Sequence, residues 1–153
     1  MPNYKRLYIE GGCYYFTVCI ANRRKRLLTD NIAALRSAFE YTQSRHPFEV
    51  NAICILPDHL HCIWTLPQND ADFSTRWRLI KSHFTRLLRK DGVAEAIWQS
   101  RFWEQAIEGE KQYNLAEDYI YDNPRKHGYV DRIEDWPYSS WHKFHNHTQE
   151  GLF

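Results

Sequence analysis

The stretch from Phe48 to Leu66 narrows the possible folds more than any other. Two apolar runs, 48–56 and 59–66, flank Pro57-Asp58, a pair suited to a tight turn. They read as the two strands of a β-hairpin. Each strand is apolar at successive positions, so each needs cover on both of its faces. This predicts central places in a sheet with layers above and below it.

The second run also carries chemistry. His59 and His61 flank Leu60 and in a strand project from one face. Two imidazoles on one rigid element can grip a divalent ion. The chain has eight histidines, so such a pair also arises by chance as surface residues. A third group is needed to give it meaning.

The rest of the chain alternates between strand and helix patterns. Residues 14–21 (YYFTVCIA) are aromatic and β-branched and predict a strand. Gly11-Gly12 before them predicts a turn, or a point of close backbone approach. Residues 22–26 (NRRKR) form a basic loop, and Thr29 or Asp30 then caps a helix reaching about Arg45. A second helix spans 73–90, with Phe73, Trp77, Ile80, Phe84, Leu87 and Leu88 on its buried stripe. Arg76, Arg78, Lys81, Arg86, Arg89 and Lys90 take much of the remainder. A fourth strand lies within 98–107, and a third helix runs from 110 to 123, where Pro124 stops it. The order is β-α-β-β-α-β-α: an α+β, ferredoxin-like βαββαβ sheet with an added C-terminal helix. Residues 1–135 read as a single domain and 136–153 as a tail packed on it.

Composition supports one packed core, with 43% hydrophobic residues. No run approaches the roughly 18 apolar residues of a membrane span, and the N-terminus lacks a signal-peptide pattern. Cys13, Cys19, Cys54 and Cys62 have no CxxC spacing and read as buried, reduced thiols. These features predict a cytoplasmic protein with no membrane partner. Charge is uneven along the chain. Residues 1–90 carry 14 Lys/Arg against 7 Asp/Glu, and residues 91–153 carry 6 against 12. A basic part suits a polyanion, and an acidic part suits catalytic groups or a metal.

On the third helix Tyr119 and Asn123 are four residues apart and share a face. Tyr113, Ala116 and Ile120 make a core stripe that leaves both off it. The Asn123 amide oxygen can ligate Mg²⁺ or Mn²⁺ beside two imidazoles. A Tyr119 phenol held near such an ion can attack phosphorus.

Four ordered segments, 57–64 (PDHLHCIW), 98–104 (WQSRFWE), 119–124 (YIYDNP) and 135–140 (DWPYSS), resemble the single-tyrosine HUH transposases. They are most similar to the REP-associated tyrosine transposase branch, and the likeness spans Tyr4 to about Trp141. The resemblance implies a ferredoxin-like nuclease domain with Mg²⁺ or Mn²⁺ held by His59, His61 and Asn123. Insertion-sequence relatives usually have glutamine where Asn123 stands. The implied nucleophile is Tyr119. Tyr121, about 200° further round the helix, points elsewhere. The implied activity is a metal-dependent transposase and endonuclease. It cleaves and rejoins single-stranded DNA beside REP-type hairpins through a 5′-phosphotyrosine. No general base is named by position, although Asp118, Asp122 and His127 are near in sequence.

Single-stranded DNA calls for basic tracks. Candidates are Lys5, Arg6, Arg23, Arg24, Lys25, Arg26, Arg78, Lys81, Arg89, Arg101, Arg125 and Lys126. The resemblance adds recognition of a flanking tetranucleotide near Lys5, Arg6, Gly11 and Gly12. It also implies a monomer, with a homodimer as the alternative. Two rival readings stand beside it. One is a hairpin DNA- or RNA-binding module that does not cut. The other, a zinc hydrolase, lacks a third histidine or cysteine at ligand spacing.

Overall fold

The structure is a computed structural model that describes residues 7–145. Four antiparallel strands form one sheet: β1 (Cys13–Cys19), β2 (Glu49–Ile55), β3 (His59–Thr65) and β4 (Trp103–Ala106), in the order β2-β3-β1-β4. A short helix α1 (Leu27–Asp30) and α2 (Ile32–Arg45) connect β1 to β2, and α3 (Phe73–Lys90) connects β3 to β4. Each crossover returns to a strand one place removed, which is the ferredoxin-like arrangement expected from the element order.

Alternation along the strands sorts the side chains into two cores. Tyr14, Phe16 and Val18 of β1 and Leu60, Cys62 and Trp64 of β3 face α2 and α3. Trp77 of α3 stacks on Trp64, with ring centroids 4.3 Å apart and planes 16° apart. On the other face Ala52, Cys54 and Ile63 meet Ile120 and Tyr121 of α4 (Gly109–Lys126). His59 and His61 lie on this second face, under α4.

Helix α3 has the bounds its pattern predicts, and the Asp72 side chain caps it by accepting from Thr75 N at 2.9 Å. Arg76, read from sequence as a solvent-side residue, is instead buried. It stands three residues after Phe73 and four before Ile80, so it falls on the apolar stripe. Its guanidinium donates to the His46 and Pro47 carbonyls and to the Asp70 carboxylate.

Three expectations need correction. Thr29 and Asp30 do not cap the long helix. They belong to α1, and Asn31 sits between α1 and α2, its amide donating to Leu27 O. Strand β2 is not central but at the sheet margin. Its outer side is nonetheless occupied, because Ile55 N donates to Tyr138 O and Ser140 N to Ile53 O. Trp136 Nε1 reaches Ile55 O at 2.9 Å in the same strap. Finally, Pro124 does not stop the last helix. It lies in the terminal turn of α4, which closes at His127, whose N–H reaches back to Asn123 O. A 3₁₀ turn, Ile133–Asp135, and a short helix, α5 (Trp141–His145), follow.

The four cysteines are free. Cys54 and Cys62 are buried as expected, whereas Cys13 and Cys19 are half-buried. No helix among the described residues is long and apolar enough to cross a membrane.

Candidate active site

The site forms where β3, the neighbouring strand β1 and the last turns of α4 meet. Register places Thr17 opposite His61 and Cys19 opposite His59. Tyr15, Thr17, His59 and His61 therefore share a face. The two imidazole rings are 4.9 Å apart and nearly perpendicular, at 88°.

Each ring has its Nδ1 engaged. His59 Nδ1 donates to Asp58 Oδ1 at 2.8 Å, and Arg23 Nε donates to the other oxygen, Oδ2, at 2.8 Å. Burial opposes ionisation of Asp58, but its hydrogen bonds to His59 and Arg23 outweigh that and hold the carboxyl below its ordinary range. His61 Nδ1 meets Tyr15 Oη at 2.6 Å and Thr17 Oγ1 at 2.9 Å. With the proton on Nδ1, Nε2 keeps its lone pair on both rings. Both imidazoles are also held neutral. Burial lowers the His59 pKa although Asp58 works against it. Burial drives His61 down to about 3, with His59, His127 and Arg23 adding repulsion. Neutral imidazoles with an oriented second nitrogen are in the state that binds metal.

Asn123 was expected to sit off the core stripe, but it is wholly buried. Neither its Oδ1 nor its Nδ2 has a hydrogen-bond partner, although it is close enough to His61 to favour that ring's charged form. Leaving an amide buried and unpaired costs about 1–3 kcal/mol. Such an orphaned group beside two neutral imidazoles fits a cation that no protein atom replaces. Among the described residues no cluster of three or more His, Cys, Asp or Glu is placed to hold a metal. The unpaired Asn123 amide oxygen is the further polar atom that could join the two imidazoles.

Tyr119 lies one helical turn before Asn123, with its ring 5.5 Å from that of His61 and 6.4 Å from that of Tyr15. It is 44% exposed, so a substrate can reach it. Lys126 places its ammonium 5.1 Å from the centre of the Tyr119 ring. Tyr121 is different. It is buried, its hydroxyl bonds Ser140 Oγ at 3.1 Å, and burial pushes its phenol up to about 12. Tyr121→Phe is therefore expected to cost about 1 kcal/mol in urea denaturation, the worth of one buried hydrogen bond, without touching the chemistry.

The structure brings together some of the basic candidates and separates others. Arg23, Arg125 and Lys126 lie on elements next to the histidines, and Arg125 is paired with Asp122. Arg24 and Arg26 are exposed in the loop after β1, where Lys25 pairs with Glu95. Arg78 and Lys81 belong to α3, across the sheet from the histidines, and Lys81 is tied to Gln99 O. Arg89 bonds the carbonyls of Val93 and Glu95, and Arg101 is exposed before β4. Lys5 and Arg6 lie outside the described residues. Gly11 has a positive φ of 65° in the turn before β1. A Cβ at Gly12 would come within 2.7 Å of Ile9 O, so Gly11 answers a backbone conformation and Gly12 a close approach.

Several site residues escaped the sequence. Tyr15 and Thr17 become partners of His61 only through strand register. Asp58 read as a turn residue, yet it orients His59. His127, four residues after Asn123, has its ring 5.4 Å from that of His59. The sequence marked His127 only as one of three groups near Tyr119, and the expectation that Pro124 ends the helix hid the 119–123–127 spacing that places it on the same face.

A family model described as "Transposase IS200 like" matches residues 10–123. A protein of Escherichia coli called REP-associated tyrosine transposase is 50% identical over 153 residues, covering 100% of this chain and 88% of that protein. A Haemophilus influenzae protein, under a provisional form of the same name, is 45% identical and covers 94% of this chain and 87% of its own. A solved structure of a REP-associated tyrosine transposase bound to a REP hairpin superposes with a TM-score of 0.88 at 50% identity. That match covers 94% of this chain and 84% of the other.

Proposed function

This chain belongs to the IS200-like transposase family, and from that premise we propose that it cleaves and rejoins single-stranded DNA beside REP-type hairpins. Tyr119 is the nucleophile in this reading. The observation that carries it is the exposed Tyr119 ring standing 5.5 Å from His61, beside the buried, unpaired Asn123.

His59, His61 and Asn123 are the groups that would hold a divalent cation, Mg²⁺ or Mn²⁺. When bound, such a cation supplies Lewis-acid polarisation of a phosphoryl oxygen. The chain's own residues do the rest. Asp58, braced by Arg23, holds His59, and Tyr15 and Thr17 hold His61. Lys126 places a positive charge beside the nucleophile, where a phosphate must come. Tyr119 loses its phenolic proton, and its Oη forms a bond to phosphorus. The bond from phosphorus to the 3′ oxygen breaks, and that oxygen takes up a proton. The products are a 5′-phosphotyrosine and a free 3′-OH. One phosphodiester replaces another, so rejoining needs no nucleoside triphosphate. The domain acts as a monomer in this reading.

The test mixes the protein with labelled REP-type hairpins carrying single-stranded flanks, with Mg²⁺, with Mn²⁺ or with a chelator. A covalent adduct on a denaturing gel, present only with metal, is expected. Tight binding with no adduct under either metal would replace this reading with that of a non-cleaving hairpin binder.

Asn123→Leu separates the amide's cost from its use. Removing a buried, unpaired amide is expected to stabilise the metal-free protein by about 1 kcal/mol. Adduct formation should fall by at least about 10–100-fold, and the rise in melting temperature on adding Mn²⁺ should disappear. Thermal melts with and without metal check both statements.

A further inference from the structure

Beside Tyr119 lies a cavity of about 610 Å³ that phosphodiester chemistry does not require. Helix α4 packs over β2 and β3, and between it and the β1–β4 half of the sheet this space stays open. Trp103 and Gln105 of β4 floor it, and Gln112 and Leu115 of α4 wall it. Tyr15, Thr17, His61 and Tyr119 line its other end.

The lining carries no Lys, Arg, Asp or Glu side chain. Away from His61 and Tyr119 it is therefore unsuited to a phosphate, which seeks charge or a row of donors. What it offers is aromatic face and amide edge. Trp103 is 53% exposed and Leu115 62%, so large apolar side chains face solvent on opposite sides of the opening. Such exposure beside a reactive group marks a binding surface rather than unfinished packing. Gln105 carries a donor and an acceptor, and Gln112, whose Oε1 accepts from Glu108 N at 2.8 Å, adds its Nε2 donors, groups that can read a base edge. A flat, uncharged ring with polar edges fits these walls.

Resting on the strand-cleavage reading, we propose that this cavity seats the base of the nucleotide adjoining the scissile phosphate. The base leaves its strand, stacks on Trp103 and is bonded along its edge by Gln105 and Gln112. Because the cavity begins at Tyr119 itself, seating the base also fixes the neighbouring phosphate before attack. Trp103 is thus a substrate-binding residue that helps set which flank sequence is cut.

The test uses the full chain carrying Tyr119→Phe, so that binding is read without cleavage. Hairpins with a single-stranded flank are compared with the same hairpins carrying an abasic residue at each flank position in turn. At the position next to the cleavage point, the abasic change is expected to weaken binding by about 10–100-fold. Trp103→Ala on the intact flank should give a similar loss, and the two together should cost no more than either alone. Trp103→Phe keeps an aromatic face and should recover most of the affinity, which a loss of folding would not allow. Losses that add, or no loss from either change, would overturn the proposal. A wild-type protein that binds hairpins but forms no adduct would instead overturn strand cleavage and leave this readout intact.

Discussion

Replacing Tyr119 with phenylalanine is expected to abolish the covalent adduct, a fall of at least about 10³-fold, while hairpin affinity stays within about threefold. Only the hydroxyl is removed, and no described residue holds that hydroxyl by a hydrogen bond. The ring keeps its places beside His61 and under the Lys126 ammonium. The melting temperature should therefore hardly move, because an exposed group with no partner contributes little to stability. Under the proposed function Tyr119 is the nucleophile, and its loss removes the covalent route itself. A denaturing gel reads the adduct, a filter or anisotropy titration reads the affinity, and a melt reads the fold. An adduct that survives Tyr119→Phe would move the nucleophile elsewhere. Tyr121, buried and bonded to Ser140, is poorly placed to take over.

The largest expected loss of stability comes from Arg76→Met, about 3–5 kcal/mol. Arg76 is 2% exposed, and its guanidinium makes five hydrogen bonds. These join the start of α3, the Asp70 loop and the His46-Pro47 turn before β2. Methionine fills similar volume but leaves two backbone carbonyls at that turn and the Asp70 carboxylate without their donor. Urea denaturation compares the two proteins. A pH signature should accompany the loss. Arg76 holds the Asp70 carboxyl below its ordinary range, chiefly through their hydrogen bonds. A carboxyl lowered in the folded state stabilises above its unfolded pKa of about 4, and that contribution fades as pH falls through the folded value. Wild type should lose this increment in acid, and Arg76→Met should not. A variant that melts like wild type at pH 7 would show that the strut is dispensable.

Local chemistry made much of this fold legible. The bounds of α3 follow from an N-cap aspartate and an apolar stripe, both contained in one stretch of chain. The histidine pair, Tyr119 and Asn123 follow from strand and helix periods. Arg76 was equally legible, since 73–76–80 is a helical spacing, but charge was weighed above position. What could not be read depended on pairing between distant segments. Nothing near Glu49–Ile55 reveals that its outer neighbour is the chain around Ser139 rather than another strand. Tyr15 and Thr17 join the site only because β1 lies beside β3 in one register. Asn123 was misjudged for a related reason. A polar side chain read along its helix looks like surface, and its burial comes from the sheet beneath.

The strap along β2 bears on how copies of this molecule meet. Exposed sheet margins are where like chains add strand to strand, toward swapped pairs or aggregates. Here Tyr138 and Ser140 already bond the backbone of Ile55 and Ile53, and the opposite margin is a strand of four residues. A second copy wishing to extend the sheet past β2 must first peel away Trp136 and its bond to Ile55 O. Colloidal behaviour and the anchoring of α4 are thus joined in one segment. Loosening it would free a seven-residue ladder for self-association and release the Tyr121–Ser140 contact that ties α4 to the strap.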